Sequence, residues 1–427
     1  MGVDSIEIQP LAKRLDTTVA IPGSKSYTNR ALLVAALAEG ESKLSGALFS
    51  DDTDYMAESL RKLGVVVEAD ETTASFAVTG NGGKIPVAGA ELYIGNSGTT
   101  SRSIISCVAL GRGTFVIDGD EPMRKARPIA DLLDALKQLG VDARSRYENG
   151  CLPVDVRATG FKGGRTELDA GKSSQFLTSL MLTGPCTDEG LQIEMVGEFK
   201  TQYIDITMAV MRAFGAEVEH DNYRRFRIPG AQRYRGCDYA VEPDASNASY
   251  FFAAAALTGG RVRVEGLSAD SAQGDIHFVD VLEAMGCTVH RDSVGIEVVG
   301  PAKLKGIDVD MKAISDTALT LAALAPFAEG PVRIRNIEHS RWQETDRVAA
   351  MATELERLGV AVEEHQDGIT VIPSVPQPAA IDTYADHRVA MSFALVGLKV
   401  PGVRINDPGC VRKTFPTYFE VWDRLRN

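Results

Sequence analysis

A sixfold internal repeat limits what this chain can fold into more than any other feature of its sequence. Six alanine-rich apolar segments each end in glycine and precede a run of β-branched residues: 30–40, 102–111, 175–184, 247–259, 317–330 and 388–402. Successive closing glycines lie 71, 73, 75, 71 and 72 residues apart. So constant a spacing indicates one supersecondary unit that occurs six times, and six such units account for the 427-residue chain.

Each repeat is predicted to contain two helices of different character. The alanine-rich segment is apolar on all sides, which predicts a helix buried on every face. The second segment is amphipathic, closes on a hydrophobic–glycine pair and leads into an alternating strand, as in residues 59–70 and around Gly140, Gly215, Gly286 and Gly359. Glycine there can supply the left-handed residue that follows a helix. Helical and strand periods alternate, so the fold class is α/β (or α+β), with buried helices inside and sheets outside.

Composition excludes several classes of function. There are 45 Lys and Arg residues against 58 Asp and Glu residues, a net charge of −13, which disfavours a nucleic-acid or anionic-membrane partner. The apolar stretches are shorter than the ~20 residues of a membrane span. Six cysteines are scattered without a C-x-x-C pair, and the six histidines are dispersed, so no metal, no cofactor and no disulfide framework is expected. The first residues lack a secretory signal pattern, and a cytoplasmic location is expected.

The residues that open the six buried segments are unusually polar. Backbone N–H groups and the helix dipole make a helix N-terminus favourable for anions. Capping alone explains residues 244–247. It does not explain the cations found at the other starts, which are Lys25, Arg30, Arg102 and Arg388. An acidic protein with these local cations is predicted to bind a polyanion.

Six segments resemble the signature segments of the 5-enolpyruvylshikimate-3-phosphate (EPSP) synthase family. They are PGSKSYTNR at 22–30, GNSGT at 95–99, SSQFL at 173–177, ETDR at 344–347, DHR at 386–388 and KTFP at 413–416. Their order and spacing match from near residue 8 to the C-terminus. The resemblance implies a two-domain inside-out α/β barrel with three β-α-β-α-β-β units in each domain. Residues 1–22 and 243–427 would form one discontinuous domain and residues 23–242 the inserted one, with the active site in the interdomain cleft.

The resemblance also implies a reaction. The enolpyruvyl group of phosphoenolpyruvate (PEP) is transferred to the 5-hydroxyl of shikimate 3-phosphate and phosphate is released, a step of the shikimate pathway to chorismate and the aromatic amino acids. The residues suit this chemistry independently, because guanidinium groups pair with carboxylates and phosphates, and paired carboxylates can move the required protons. Glyphosate is an expected inhibitor. Domain closure on substrate binding and a monomeric state are also expected.

The family pattern assigns residues to three roles. It assigns catalysis to Lys25, Asp316 and Glu344. Asp316 would be the base that takes the proton of the 5-hydroxyl. Glu344, with Lys25 or Lys413, would transfer the proton at C3 of PEP. It implies that shikimate 3-phosphate contacts Lys25, Ser26, Arg30, Ser173, Ser174, Gln175, Lys200, Tyr203, Asp316, His339 and Gln343. It implies that PEP contacts Lys25, Asn96, Gly98, Thr99, Arg127, Gln175, Arg347, His387, Arg388 and Lys413.

Three residues depart from the family pattern near the acceptor. Gln343 stands where relatives commonly have Lys, Lys200 where Ser is common, and His339 where Asn is common. The cation for the acceptor phosphate is therefore expected to have moved from position 343 to position 200. Two alternatives stay open: a related enolpyruvyl transferase with another phosphorylated or nucleotide-sugar acceptor, and a noncatalytic anion-binding scaffold. The UDP-N-acetylglucosamine enolpyruvyl transferase family has a cysteine in the segment that corresponds to residues 119–126. This chain has no cysteine there, which argues against membership of that family.

Exhaustive chelation tests the prediction that no metal takes part. Because no Cys/His cluster in the sequence has ligand spacing, the transferase rate after treatment with EDTA should equal that of the untreated enzyme. Loss of activity that one added metal restores would contradict this prediction.

Overall fold

The computed structural model describes residues 5–199 and 201–426, and it separates into two compact units. The inserted unit is Gly23–Val241, and the split unit combines the residues up to Pro22 with those from Glu242 onward. The sequence predicts domain boundaries after residues 22 and 242, whereas the two compact units divide after Pro22 and Val241. Within the described ranges, no helix is both long enough and apolar enough to cross a membrane.

Short strands alternate with helices along the whole described chain. The strands are β1 (Ser5–Glu7), β2 (Asp16–Val19), β3 (Glu39–Ser45), β4 (Val66–Asp70), β5 (Ser75–Asn81), β6 (Gly89–Tyr93), β7 (Arg112–Asp118), β8 (Asp142–Ser145), β9 (Val154–Thr159), β10 (Gly164–Asp169), β11 (Leu191–Val196), β12 (Glu219–Asp221), β13 (Arg225–Ile228), β14 (Asp238–Ala240), β15 (Arg261–Glu265), β16 (Thr288–Arg291), β17 (Gly295–Val299), β18 (Asp308–Asp310), β19 (Val332–Arg335), β20 (Ala361–His365), β21 (Gly368–Ile372), β22 (Ala380–Ile381) and β23 (Arg404–Asn406). The α-helices are α1 (Lys25–Leu37), α2 (Asp51–Lys62), α3 (Gly98–Val108), α4 (Glu121–Lys125), α5 (Ala130–Gln138), α6 (Gln175–Thr183), α7 (Gln202–Ala213), α8 (Ala245–Thr258), α9 (Phe278–Ala284), α10 (Ala318–Leu324), α11 (Arg347–Arg357), α12 (His387–Gly397) and α13 (Tyr418–Arg424).

The sheets repeat one pattern of pairing. The inserted unit has the strand orders β14-β3-β5-β4, β6-β7-β9-β8 and β10-β11-β13-β12. The split unit has β2-β15-β17-β16, β18-β19-β21-β20 and a three-stranded sheet, β22-β23-β1. In each, the first two strands are parallel and the later neighbours antiparallel. The last repeat supplies only β22 and β23 to its sheet. The N-terminal strand β1 therefore adds the third strand of that sheet.

Three buried helices form the centre of each unit, as the apolar segments predict. They are α1, α3 and α6 in the inserted unit and α8, α10 and α12 in the split unit, and in each unit the three contact one another. All fourteen residues of α8 are buried. The apolar pattern runs past the end of some helices. Gly40 lies in β3, because its backbone pairs with β5, and α10 gives way to a 3₁₀ turn at Pro326, which has no N–H to donate.

The amphipathic helices end as the sequence predicts. Each helix is followed by a hydrophobic–glycine pair, and the glycine of each pair has a positive φ. The values are 86° at Gly64, 78° at Gly140, 83° at Gly215, 103° at Gly286 and 77° at Gly359. Glycine adopts this left-handed conformation without the steric cost of a Cβ. The helix ends predicted at these five glycines are therefore confirmed.

Gly80 allows strand β5 to pack directly on the end of α1. A Cβ at this position would lie 2.2 Å from the carbonyl oxygen of Ala38 and 2.4 Å from that of Ala35. Gly80→Ala should lower the free energy of unfolding in urea by about 1–3 kcal/mol, because backbone would have to move. The control is Gly330→Ala, whose Cβ would lie at an ordinary van der Waals distance, 3.7 Å, from the Cα of Gly306. Equal stabilities of the two variants would contradict this account.

Candidate active site

The buried helices of each unit begin at the same end of that unit. In the inserted unit, Gln175 at the start of α6 donates to Thr99 at the start of α3 (3.2 Å). The hydroxyls of Ser179, one turn further along α6, and Ser106, two turns further along α3, are 2.6 Å apart. In the split unit, hydroxyls early in α8 and α10 are likewise 3.0 Å apart. Helix N-termini and the polar residues on them are therefore gathered at one end of each unit.

Arg30 is a buried cation whose hydrogen-bond partners among the described residues are neutral. It is 2% exposed, and its Nε donates to the hydroxyl of Thr207 (2.9 Å) and its Nη1 to the carbonyl of Ser26 (2.9 Å). Longer bonds of 3.4 Å reach the Thr178 hydroxyl and the Tyr203 carbonyl. Burial lowers the pKa of Arg30 to about 10, so it stays charged at neutral pH. An anion at this end of the unit would supply the opposite charge.

A second guanidinium of the inserted unit lies against the glycine at the start of α3. Arg127 Nη1 donates to the backbone carbonyl of Asn96 (2.9 Å) and to its side-chain oxygen (2.8 Å). A Cβ at Gly98 would be 2.4 Å from Arg127 Nη2 and 2.8 Å from Arg102 Nη1. Only glycine therefore lets both guanidinium groups approach this turn of backbone.

The remaining predicted residues of the inserted unit lie at the same helix starts. Lys25 Nζ is 3.3 Å from Asp52 Oδ2. Ser173 accepts a bond from the Gln175 N–H (3.3 Å), and Ser174 is the residue before α6. Lys200 lies outside the described residues.

Arg347 connects three carboxylates in the split unit. It is 1% exposed, and it donates to Asp386 from Nε (2.7 Å) and Nη2 (3.2 Å), to Glu344 from Nη2 (2.9 Å) and to Asp316 from Nη1 (3.2 Å). Burial opposes the charge of Arg347, but Asp386, Glu344 and Asp316 outweigh it and raise its pKa. The two carboxylates predicted to move protons are thus held by one guanidinium.

Two further cations bind these same carboxylates. Arg388 Nη2 donates to Asp316 Oδ2 (2.8 Å), and Lys413 Nζ donates to Glu344 Oε1 (3.0 Å). Each carboxylate is therefore shared between Arg347 and one other cation. The cluster holds three positive and three negative groups when Asp386 is included.

Asp386 performs two tasks at the start of α12. Its Oδ1 accepts the backbone N–H of Arg388 (2.9 Å), and its carboxylate binds Arg347 through both oxygens. The neighbouring His387 is buried, with Nδ1 3.5 Å from Asp386 Oδ1. Asp386 thus fixes Arg347 and Arg388 relative to each other.

The two departures from the family pattern that lie in the split unit differ in their contacts. Gln343 accepts a bond from Arg347, and its amide nitrogen is 3.5 Å from Asp316 Oδ1. His339 Nε2 is 2.9 Å from the Ser315 hydroxyl. Gln343 therefore belongs to the Arg347 cluster, and His339 lies beside the 3₁₀ turn Ser315–Thr317 that carries Asp316.

Sequence reasoning missed several members of these clusters. Asp386 lies inside the DHR motif at 386–388, but the family pattern assigns it no role, and it assigns none to the cation Arg102. Asp52 and Asp275 had no motif to mark them. Asp275 is buried and accepts a bond from Ser246. Among the described residues, no group of three or more His, Cys, Asp or Glu side chains is placed to hold a metal ion.

Comparison with known proteins identifies the family. The family model for EPSP synthase (3-phosphoshikimate 1-carboxyvinyltransferase) matches residues 11–422. The chain belongs to the EPSP synthase family. A 3-phosphoshikimate 1-carboxyvinyltransferase of Nostoc punctiforme is 50% identical over 418 residues, 98% of each chain, and one of a Marinomonas species is 46% identical over the full length of both.

Solved structures agree with this family assignment. An EPSP synthase from Acinetobacter baumannii superposes with a TM-score of 0.84 at 26% identity and covers 98% of this chain and 97% of its own. The enolpyruvyl transferase NikO from Streptomyces tendae has the same fold, with a TM-score of 0.75 at 20% identity, covering 99% of this chain and 97% of its own. The predicted family and the predicted inside-out α/β fold are confirmed.

The environment of Asp275 in this family member generates a pH prediction. Burial, and then the charge of Asp316, raise the pKa of Asp275 to about 6. The folded state therefore holds this proton more tightly than the unfolded chain, and stability falls as pH rises from about 4 to about 6. Asp275→Asn cannot lose the proton. Relative to wild type, its free energy of unfolding in urea should rise by about 1–3 kcal/mol between pH 4 and pH 7.

The exposed Asp270→Asn variant is the control for this measurement and should follow the wild-type pH profile. A constant difference between Asp275→Asn and wild type across the range would contradict the assignment.

Proposed function

We propose that this chain transfers the enolpyruvyl group of PEP to the 5-hydroxyl of shikimate 3-phosphate, with the residues described above in the roles that follow. The observation that supports it most is the pairing of Asp316 and Glu344 on the single guanidinium of Arg347, at 3.2 and 2.9 Å. Two carboxylates held this way can act on one substrate pair.

PEP brings a phosphate and a carboxylate to cations that are ion-paired in the free protein. Arg347, Arg388 and Lys413 bind it from the split unit by exchanging part of their bonds with Asp316 and Glu344 for bonds to substrate oxygens. The other PEP contacts are Lys25, Asn96, Gly98, Thr99, Arg127, Gln175 and His387. Glyphosate, also an anion, competes for these cations, and the enzyme acts as a monomer.

Both halves of the reaction need a proton to move at C3. In the addition, Asp316 takes the proton of the 5-hydroxyl as its oxygen bonds to C2 of PEP, and Glu344 or a neighbouring lysine delivers a proton to C3. In the elimination, a C3 proton leaves, the C2–C3 double bond re-forms and the C2–O bond to phosphate breaks. Lys413, 3.0 Å from Glu344, is placed to share that proton, and Lys25 is the alternative donor.

The acceptor is held chiefly by the inserted unit. Arg30 and Ser26 bind the carboxylate of shikimate 3-phosphate. This carboxylate supplies a negative charge for Arg30, whose described partners are all neutral. The other acceptor contacts are Lys25, Ser173, Ser174, Gln175, Tyr203, Asp316, His339 and Gln343. Lys200 supplies the cation for the 3-phosphate, a role that rests on the sequence alone.

Phosphate release from PEP tests the function directly. With shikimate 3-phosphate the full-length protein should release one phosphate per EPSP formed, and neither shikimate nor UDP-N-acetylglucosamine should replace it. Turnover with another acceptor at a higher kcat/KM would overturn the acceptor assignment, and no release with any acceptor would favour an anion-binding scaffold.

Asp316→Ala and Glu344→Ala should each lower kcat by ~10²-fold or more, as expected when a general acid or base is removed. Arg347 keeps its bonds to Asp386 in both variants, so both should fold. Glu265→Ala, at an exposed carboxylate ending β15, is the matched control and should retain the wild-type rate. Wild-type kcat in either active-site variant would refute its role.

A further inference from the structure

One helix of the split unit holds the segment 382–386 at two points. Arg347 and Glu354 are seven residues apart on α11, two turns along one face. Arg347 binds Asp386 at the end of the segment. Glu354 binds its beginning, where Oε2 accepts the backbone N–H of Asp382 at 3.1 Å and Oε1 accepts the hydroxyl of Tyr384 at 2.6 Å.

Glu354 is an unusual residue for this place, because its side chain is 0% exposed. Burial raises the pKa of Glu354, and the bonds from Tyr384 and the Asp382 N–H act in the opposite direction. Arg357, one turn on, lies 3.3 Å from Glu354 Oε2 and 2.8 Å from Asp382 Oδ2. A carboxylate buried in this way needs its partners. Two of the three, Asp382 and Tyr384, belong to the segment, and the third, Arg357, binds it.

The segment needs to be held because its backbone is strained. Tyr384 and Ala385 have φ values of 55° and 54°, in the left-handed region that side chains other than glycine rarely adopt. The chain then turns directly into Asp386, His387 and Arg388. The conformation of two residues therefore decides where these three side chains meet their partners.

We infer that Glu354, acting with Tyr384, is a positioning residue for PEP binding. It keeps the strained segment in place so that Asp386 can orient Arg347 and Arg388. Neither Glu354 nor Tyr384 is among the residues assigned to substrate. This inference rests on the proposed function, because it concerns the PEP side of that site.

Steady-state kinetics of two full-length variants test the inference. Tyr384→Phe removes one hydroxyl from a side chain that is 41% exposed, so the protein should fold. Glu354→Gln keeps a carbonyl oxygen for the Asp382 N–H but loses the charge. Each should raise KM for PEP by ~10-fold, with KM for shikimate 3-phosphate changed less than ~2-fold. The double variant should resemble the more impaired single variant, because both changes break the same bond.

Tyr223→Phe is the matched control. Tyr223 also has a positive φ, of 56°, and also donates to a carboxylate at 2.6 Å, that of Asp205 in the inserted unit. Its KM for PEP should equal that of wild type. A purely structural role for Glu354 predicts lower stability with both KM values unchanged or raised together, and that result, or any pattern other than the PEP-selective one, overturns the inference. Failure of the proposed function is a different result, since wild type itself would then be inactive.

Discussion

A helix that is buried on every face can meet water or a ligand only at its ends. Six such helices, α1, α3, α6, α8, α10 and α12, form the centres of the two units. The Lys and Arg side chains of these helices, Lys25, Arg30, Arg102 and Arg388, all lie in the first two turns. Within each unit the helix starts lie together, which gathers unpaired backbone N–H groups and the cations on the first two turns. The site follows from this constraint, because the rest of the helix surface is covered by sheets and by neighbouring helices.

The two units balance their buried cations in opposite ways. Arg347 has three carboxylates, and the protein supplies the counter-charge for it. Arg30 has hydroxyl and carbonyl partners, and a substrate carboxylate would supply the counter-charge. Because burial lowers the local dielectric, it strengthens the attraction of each of these two arginines for a nearby anion. In the proposed function, a substrate anion would therefore complete the site at Arg30 but compete with existing ion pairs around Arg347.

In the proposed mechanism, the carboxylates that hold the cations are also the groups that move protons. Asp316 is shared by Arg347 and Arg388, and Glu344 by Arg347 and Lys413. In the proposed reaction, a substrate that takes over bonds from the cations would leave these carboxylates with fewer partners. The proposed positioning role of Glu354 adds to this picture, since Asp386 contacts both Arg347 and the backbone N–H of Arg388.

The amino-acid sequence by itself determined the sixfold repeat, the burial of its apolar helices and the glycines that end its amphipathic helices, because hydrophobic period and backbone sterics are local properties. Its motifs also identified the family. The sequence did not single out Asp386 as the partner of Arg347, Asp275 as a neighbour of Asp316, or Glu354 as the partner of Tyr384. These pairs are separated by 39, 41 and 30 positions and belong to different elements. Only the packing of those elements brings them together, since ion pairing and desolvation depend on distance in space.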